Sequence, residues 1–94
     1  MATAVSGTLV ANTAQNVTVE VIAFGGEAGF AVTNRTADGS GTIWVRRDGQ
    51  PATLAGSNCH PVIGSRAFKN PAGSTSVTVS LFSDAATPFT VEAA

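Results

Sequence analysis

Charge is what this chain has least of. Only 12% of its 94 residues are Asp, Glu, Lys or Arg, against about 25% in ordinary soluble domains. The formal net charge is −1, which removes the electrostatic case for nucleic acid or an anionic membrane as partner. A surface with so few charges is either rich in Ser, Thr and Ala or hidden against other chains, and together with a small core it points to a permanent oligomer or assembly. The single cysteine, Cys59, excludes an intrachain disulfide. No run approaches the roughly 18–20 apolar residues of a membrane helix. The N-terminal stretch MATAVSGTLVANTAQ has neither a basic region nor a long apolar one, so the expectation is a soluble chain made in a cytoplasm. There the Asn16-Val17-Thr18 and Asn34-Arg35-Thr36 sequons are coincidental. Leucine occurs only at positions 9, 54 and 81. No window carries an apolar stripe at helical spacing with caps, which argues against a helical fold.

What the chain has instead is Val and Thr, residues suited to pleated, half-buried surfaces. The pattern is clearest at the end. Val77, Val79 and Leu81 alternate with Thr78, Ser80 and Phe82; the polar break Ser83-Asp84-Ala85-Ala86-Thr87-Pro88 follows; then Phe89 and Val91 alternate with Thr90 and Glu92. This predicts two strands joined by a short turn as a closing hairpin. Earlier strands are predicted over 5–10, interrupted by Gly7, and over 17–24, with Val17, Val19 and Val21 on one face. Others follow over 30–34, with Phe30 and Val32 together, and over 42–46, with Ile43 and Val45 inward. A weak one covers 62–68. Asp38-Gly39 is a hairpin signal, Asp48-Gly49-Gln50-Pro51 and Asn70-Pro71-Ala72-Gly73 are turns, and 52–60 reads as a loop with room for one helical turn or a short extended piece. The expectation is one all-β domain over 1–94, a small antiparallel sandwich or barrel of about seven short strands.

Little of this is written as chemistry. Cys59-His60 would offer a thiol and a base, but neighbours on an extended chain point to opposite sides. The chain has no second Cys or His to build a zinc site of three or four ligands. Asp38, Asp48 and Asp84 sit in turns, where Asp serves its own backbone. Glu20, Glu27 and Glu92 show no spacing that calls for a glycosidase pair, and no loop has the dense acidic spacing of a calcium site. Gly25-Gly26 and Gly39 to Gly41 precede no helix, as a phosphate loop requires. These observations imply no enzyme, no cofactor and no metal. Trp44 with Arg46 and Arg47 reads better as an interface patch than as a nucleic-acid site, given the net charge. Arg66 and Phe68 complete the protein-interface candidates.

The succession Val32-Thr33-Asn34, Asp48-Gly49-Gln50-Pro51, Pro61-Val62-Ile63-Gly64, Val79-Ser80-Leu81-Phe82-Ser83 and Phe89-Thr90-Val91 resembles the small head decoration (minor capsid, or cement) proteins of tailed bacteriophages, especially those of actinobacteria. The resemblance covers about two thirds of the chain. Ala52 intervenes between Pro51 and Thr53, and Cys59-His60 departs from the family pattern. The resemblance implies a structural virion protein that binds the major capsid protein on the outside of the expanded head, commonly as a homotrimer at local threefold positions. It implies no membrane and no direct nucleic-acid contact. Residues 1–15, the weakest strand pattern, are the candidate N-terminal arm for strand exchange with a neighbour. The rival from another class is a phage tail or host-attachment module binding carbohydrate. Its aromatic platform would start at Trp44 beside Arg46 and is weakened by the absence of Tyr.

Overall fold

The computed structural model describes residues 4–20, 28–36, 41–70 and 76–93. Eight strands follow in chain order: β1 (Ala4–Leu9), β2 (Gln15–Glu20), β3 (Ala28–Asn34), β4 (Ile43–Arg46), β5 (His60–Val62), β6 (Ser65–Asn70), β7 (Ser76–Phe82) and β8 (Thr87–Ala93). The predicted end of the second strand, Asp38-Gly39, and 71–75 lie outside the described residues, as do Glu27 and residues 1–3 of the candidate arm.

The strands form two antiparallel four-stranded sheets. Sheet A runs β1-β8-β3-β6 and sheet B runs β2-β7-β4-β5. Apart from β4 and β5, each strand is followed by one in the opposite sheet. This is the jelly-roll winding, a sandwich of two interlocked Greek keys. Alternation sets the faces as the sequence implies. Val17, Val19, Phe30, Val32, Ile43, Val45, Val77, Val79, Leu81, Phe89 and Val91 turn inward and are buried, with Leu9, Val62 and Phe68 completing the core. Phe30 and Phe68, opposite one another on β3 and β6, stack at 5.3 Å. Gly7 on β1 faces Phe89, whose ring atoms lie 3.3 Å from where a Cβ would stand. The glycine that interrupts the strand pattern therefore makes room for a core aromatic.

Two expectations change. The closing segments are not a hairpin, because β7 lies in sheet B and β8 in sheet A. Both keep their alternation, but Ser83–Ala86 carries the chain across the sandwich. The single weak strand over 62–68 is two strands: the chain turns at Ile63-Gly64, with Gly64 at φ +80°, and crosses from β5 to β6. Within the candidate arm, all six residues of β1 pair with β8, and Leu9 is fully buried.

Among the described residues, four of the five buried polar side chains are spent on a crossing or a loop, and Thr90 on a cross-strand pair. Asn34 donates from Nδ2 to Gly41 O and accepts at Oδ1 from the Thr36 backbone N–H and hydroxyl. Ser83 and Thr87 bond each other at 2.9 Å, and Ala85 N donates to Ser83 Oγ. Thr90 meets Ser6 Oγ at 2.9 Å. Ser80 accepts from Ala52 N at 2.9 Å, which folds the β4–β5 link over the outer face of sheet B and buries Ala52. That link holds two successive turns closed by Gly56 N to Thr53 O and Cys59 N to Gly56 O.

Candidate contact surface

The five interface candidates fall into two groups. Trp44 and Arg46 lie on the outer face of sheet B, opposite in direction to the buried Ile43 and Val45. Trp44 pairs with Phe82 on one side and Pro61 on the other, so an apolar row crosses three strands; Trp44 and Phe82 are half-buried and Pro61 is exposed. Arg46 makes a two-pronged contact with Asp48, Nε to Oδ1 at 2.6 Å and Nη2 to Oδ2 at 2.9 Å. Asp48 Oδ1 also accepts from Gln50 N, the local backbone bond that favours Asp in a turn. The Arg46 hydrogen bond, with the Gln50 N–H adding to it, lowers the Asp48 pKa to about 2. The same bond raises that of Arg46.

The second group gathers where the β5 and β6 edges leave one side of the sandwich open. Arg66 and Phe68, two apart on β6, share its inward side. Arg66 lies 5.3 Å from the Phe68 ring centroid and donates to Pro61 O. Arg47, just beyond β4, lies 5.2 Å from the same centroid and donates to Lys69 O. His60 of β5 meets that ring edge-on at 5.9 Å. Phe68 is only 7% exposed, so its ring is core on one side and a platform for cations on the other. Inward-pointing charge on an edge strand also blunts unwanted pairing.

No family model, curated protein or solved structure matches this chain.

The outer face of sheet A carries mostly small and hydroxyl side chains, with Glu92 and Lys69 on outward positions and Arg35 Nη1 donating to Thr90 Oγ1 at 3.5 Å. Ser6, Thr90, Thr33 and Ser65 stand opposite one another across all four strands, with hydroxyl bonds at 2.9 Å for Ser6–Thr90 and 3.1 Å for Thr33–Ser65. The next row is Ala4, Glu92, Ala31 and Ala67. At one end of the sandwich the sheet crossings are tied by backbone bonds, Asn12 N to Ser83 O, Asn34 N to Gly64 O and Arg35 N to Pro88 O. Val10 and Ile63, exposed at 65% and 70%, belong to crossings at this end.

Cys59 is a half-buried free thiol, and its neighbour His60 is turned to Phe68. Among the described residues no three of His, Cys, Asp and Glu come together as they would to hold a metal ion. Asn34, the acceptor residue of one sequon, is buried and engaged, so a glycan has no room there.

The alternation Arg66-Ala67-Phe68 already places Arg66 and Phe68 on one side of a strand. The arrival of Arg47 and His60 on the same ring depends on the pairing of the sheets, which no local pattern encodes. Ser80 carried the clearest missed signal: a serine on the outward positions of a strand, followed through its partner Arg46 to a long loop.

Proposed function

We propose that this chain is a capsid decoration (cement) protein that binds the outer surface of a phage head and stabilises it, acting as a self-associating, trimeric virion component with the major capsid protein as partner. The observation that carries the reading is the finish of the surface. The outer face of sheet A presents small and hydroxyl side chains in register, its charges being Glu92 within the two rows, Arg35 reaching Thr90 and Lys69 beyond Ala67. Such a face lies closely against another protein at little cost in desolvated charge. The turn-and-strand motifs of the resemblance lie at punctuation points of this fold: Asp48-Gly49-Gln50 after β4, Pro61 to Gly64 at a sheet crossing, and Val79 to Ser83 leading into another. Jelly-roll windings serve viral capsid domains and lectins alike, so the choice rests on the surface rather than the winding.

Mixing the purified protein with expanded, empty heads tests the proposal. Saturable co-sedimentation at a fixed ratio to the coat protein is the expected result. Failure to bind heads, with retention on host cell-wall glycan instead, would overturn it. The second reading, a carbohydrate-binding attachment module, is favoured by one observation, the Pro61–Trp44–Phe82 row on sheet B, because sugar rings stack on such platforms. Under that reading Trp44→Ala abolishes glycan retention; under decoration through sheet A it leaves head binding unchanged.

A further inference from the structure

Two of the chain's arginines, Arg47 and Arg66, meet in one place on this molecule. Of the five basic residues, these two meet at Phe68 on the β5/β6 side, and His60, the chain's one histidine, joins them; Lys69 gives the cluster only its backbone carbonyl, its side chain lying on the outward side of β6. Two of these groups are unusual in their state. Arg46 has taken Asp48, whereas among the described residues neither Arg47 nor Arg66 has a carboxylate partner: each makes a single hydrogen bond there, to a backbone carbonyl, at 2.8 Å and 3.3 Å. Other described carboxylates stand elsewhere. Asp84 is in the β7–β8 crossing, Glu92 is on the outer face of sheet A, and Glu20 is on β2, at the far edge of sheet B.

The geometry keeps both guanidiniums ready. Each lies against the same ring, so the two carbons are separated by no more than twice the ring distance, within about a Debye length at 0.1 M salt. Contact with the ring uses no N–H···O bond, so a guanidinium there keeps further N–H donors for a planar acceptor. Of five such donors, each arginine uses one. Both side chains are exposed, and packing on a core aromatic has already restricted their rotamers, which lowers the entropy lost when a ligand binds.

We propose that Arg47 and Arg66, held against Phe68 at the β5/β6 side, form a docking site for the carboxylates of an acidic segment on a partner protein. The inference deepens the decoration reading, since it names the chemistry of the partner surface. Carboxylate is preferred to phosphate on two grounds. The patch is small, suited to two or three separate carboxylates rather than to a phosphate every few ångströms. The net charge of −1 disfavours a polyanion as a whole, while a short acidic segment meets only the local field.

The test uses the whole chain, with octaglutamate as the probe and octaglutamine and inorganic phosphate as comparisons, followed through the side-chain Nε–H resonances of Arg47 and Arg66. Octaglutamate is expected to shift both signals saturably, octaglutamine to shift neither, and phosphate to compete only at much higher concentration. The double variant R47Q/R66Q is expected to bind octaglutamate at least tenfold more weakly. Because that variant also loses packing on Phe68, R47K/R66K serves as its companion: it keeps the charge but not the planar fork and should bind several-fold more weakly than wild type. Unshifted arginine signals, binding by the glutamine double variant within twofold of wild type, or phosphate binding as tightly as the peptide would each overturn the inference. The outcomes on heads separate it from the reading beneath it. Decoration by R47Q/R66Q at wild-type affinity defeats the site and leaves decoration standing, whereas wild-type protein that binds octaglutamate but no head defeats decoration.

Discussion

Asp48 shows what one turn residue contributes here. Its carboxylate accepts from the Arg46 guanidinium and from the Gln50 backbone, which closes the bend that starts the long β4–β5 link. With the pKa lowered to about 2, the sign of the pH effect is fixed. The pair's contribution is fully present above the ordinary Asp range near 3.9 and is lost as pH falls through about 2. A carbon-detected titration should find the Asp48 midpoint near 2, and Arg46→Gln should raise it toward the usual carboxylate range, with the Gln50 N–H still holding it below. Ser80 acts further inside. Its hydroxyl is the acceptor for Ala52 N within a buried contact, so Ser80→Ala strands that donor and should cost about 1–3 kcal/mol in urea unfolding. Two positive-φ positions should respond with opposite signs. Ala55 adopts φ 51° in the same link, and Ala55→Gly should stabilise by roughly 0.5–1 kcal/mol through relief of the left-handed strain. Gly64→Ala, at φ +80°, should destabilise by about 1–2 kcal/mol.

At the level of elements, the strands are short and largely non-consecutive in their pairing. Period-two alternation reports which side chains turn inward, and it does so correctly for β2, β3, β4, β7 and β8. It carries no information on which strand lies alongside. The Ser76–Phe82 and Thr87–Ala93 segments look like a hairpin because their polar break is short, yet the break spans the two sheets. The chain makes this crossing because Ser83 and Thr87 bond each other and the Asn12 backbone reaches Ser83 O, a contact distant in sequence. Likewise Val62 and Phe68 are both core residues, but the turn at Ile63-Gly64 puts them in different sheets. The candidate site was legible in the same measure. Trp44 and Arg46 follow from one strand's alternation and Arg66 and Phe68 from another's. Their division into an outer-face row and an edge cluster around Phe68 follows from sheet order alone.

For the whole molecule, the core is one layer of Val and Phe between two small sheets, and a domain of this size has only about 5–10 kcal/mol to lose. Phe30 is fully buried and stacked on Phe68; Phe30→Ala should cost about 3–5 kcal/mol, read as a large fall in the urea midpoint. The same variant should loosen the Arg47 and Arg66 contacts, since their platform rests on that stack. Seen from outside, the molecule presents a hydroxyl-and-alanine face, an aromatic row on the opposite sheet, and an edge with two arginines on one ring. Each is suited to contact, and the decoration reading assigns the first and third to a shell.

Electron cryo-microscopy of expanded heads incubated with the protein addresses that reading most directly. Decoration predicts added density outside the shell at every equivalent local threefold position, into which three copies of the jelly roll fit with the β5/β6 side near acidic coat residues. Shells that remain bare at saturating protein concentration would contradict it.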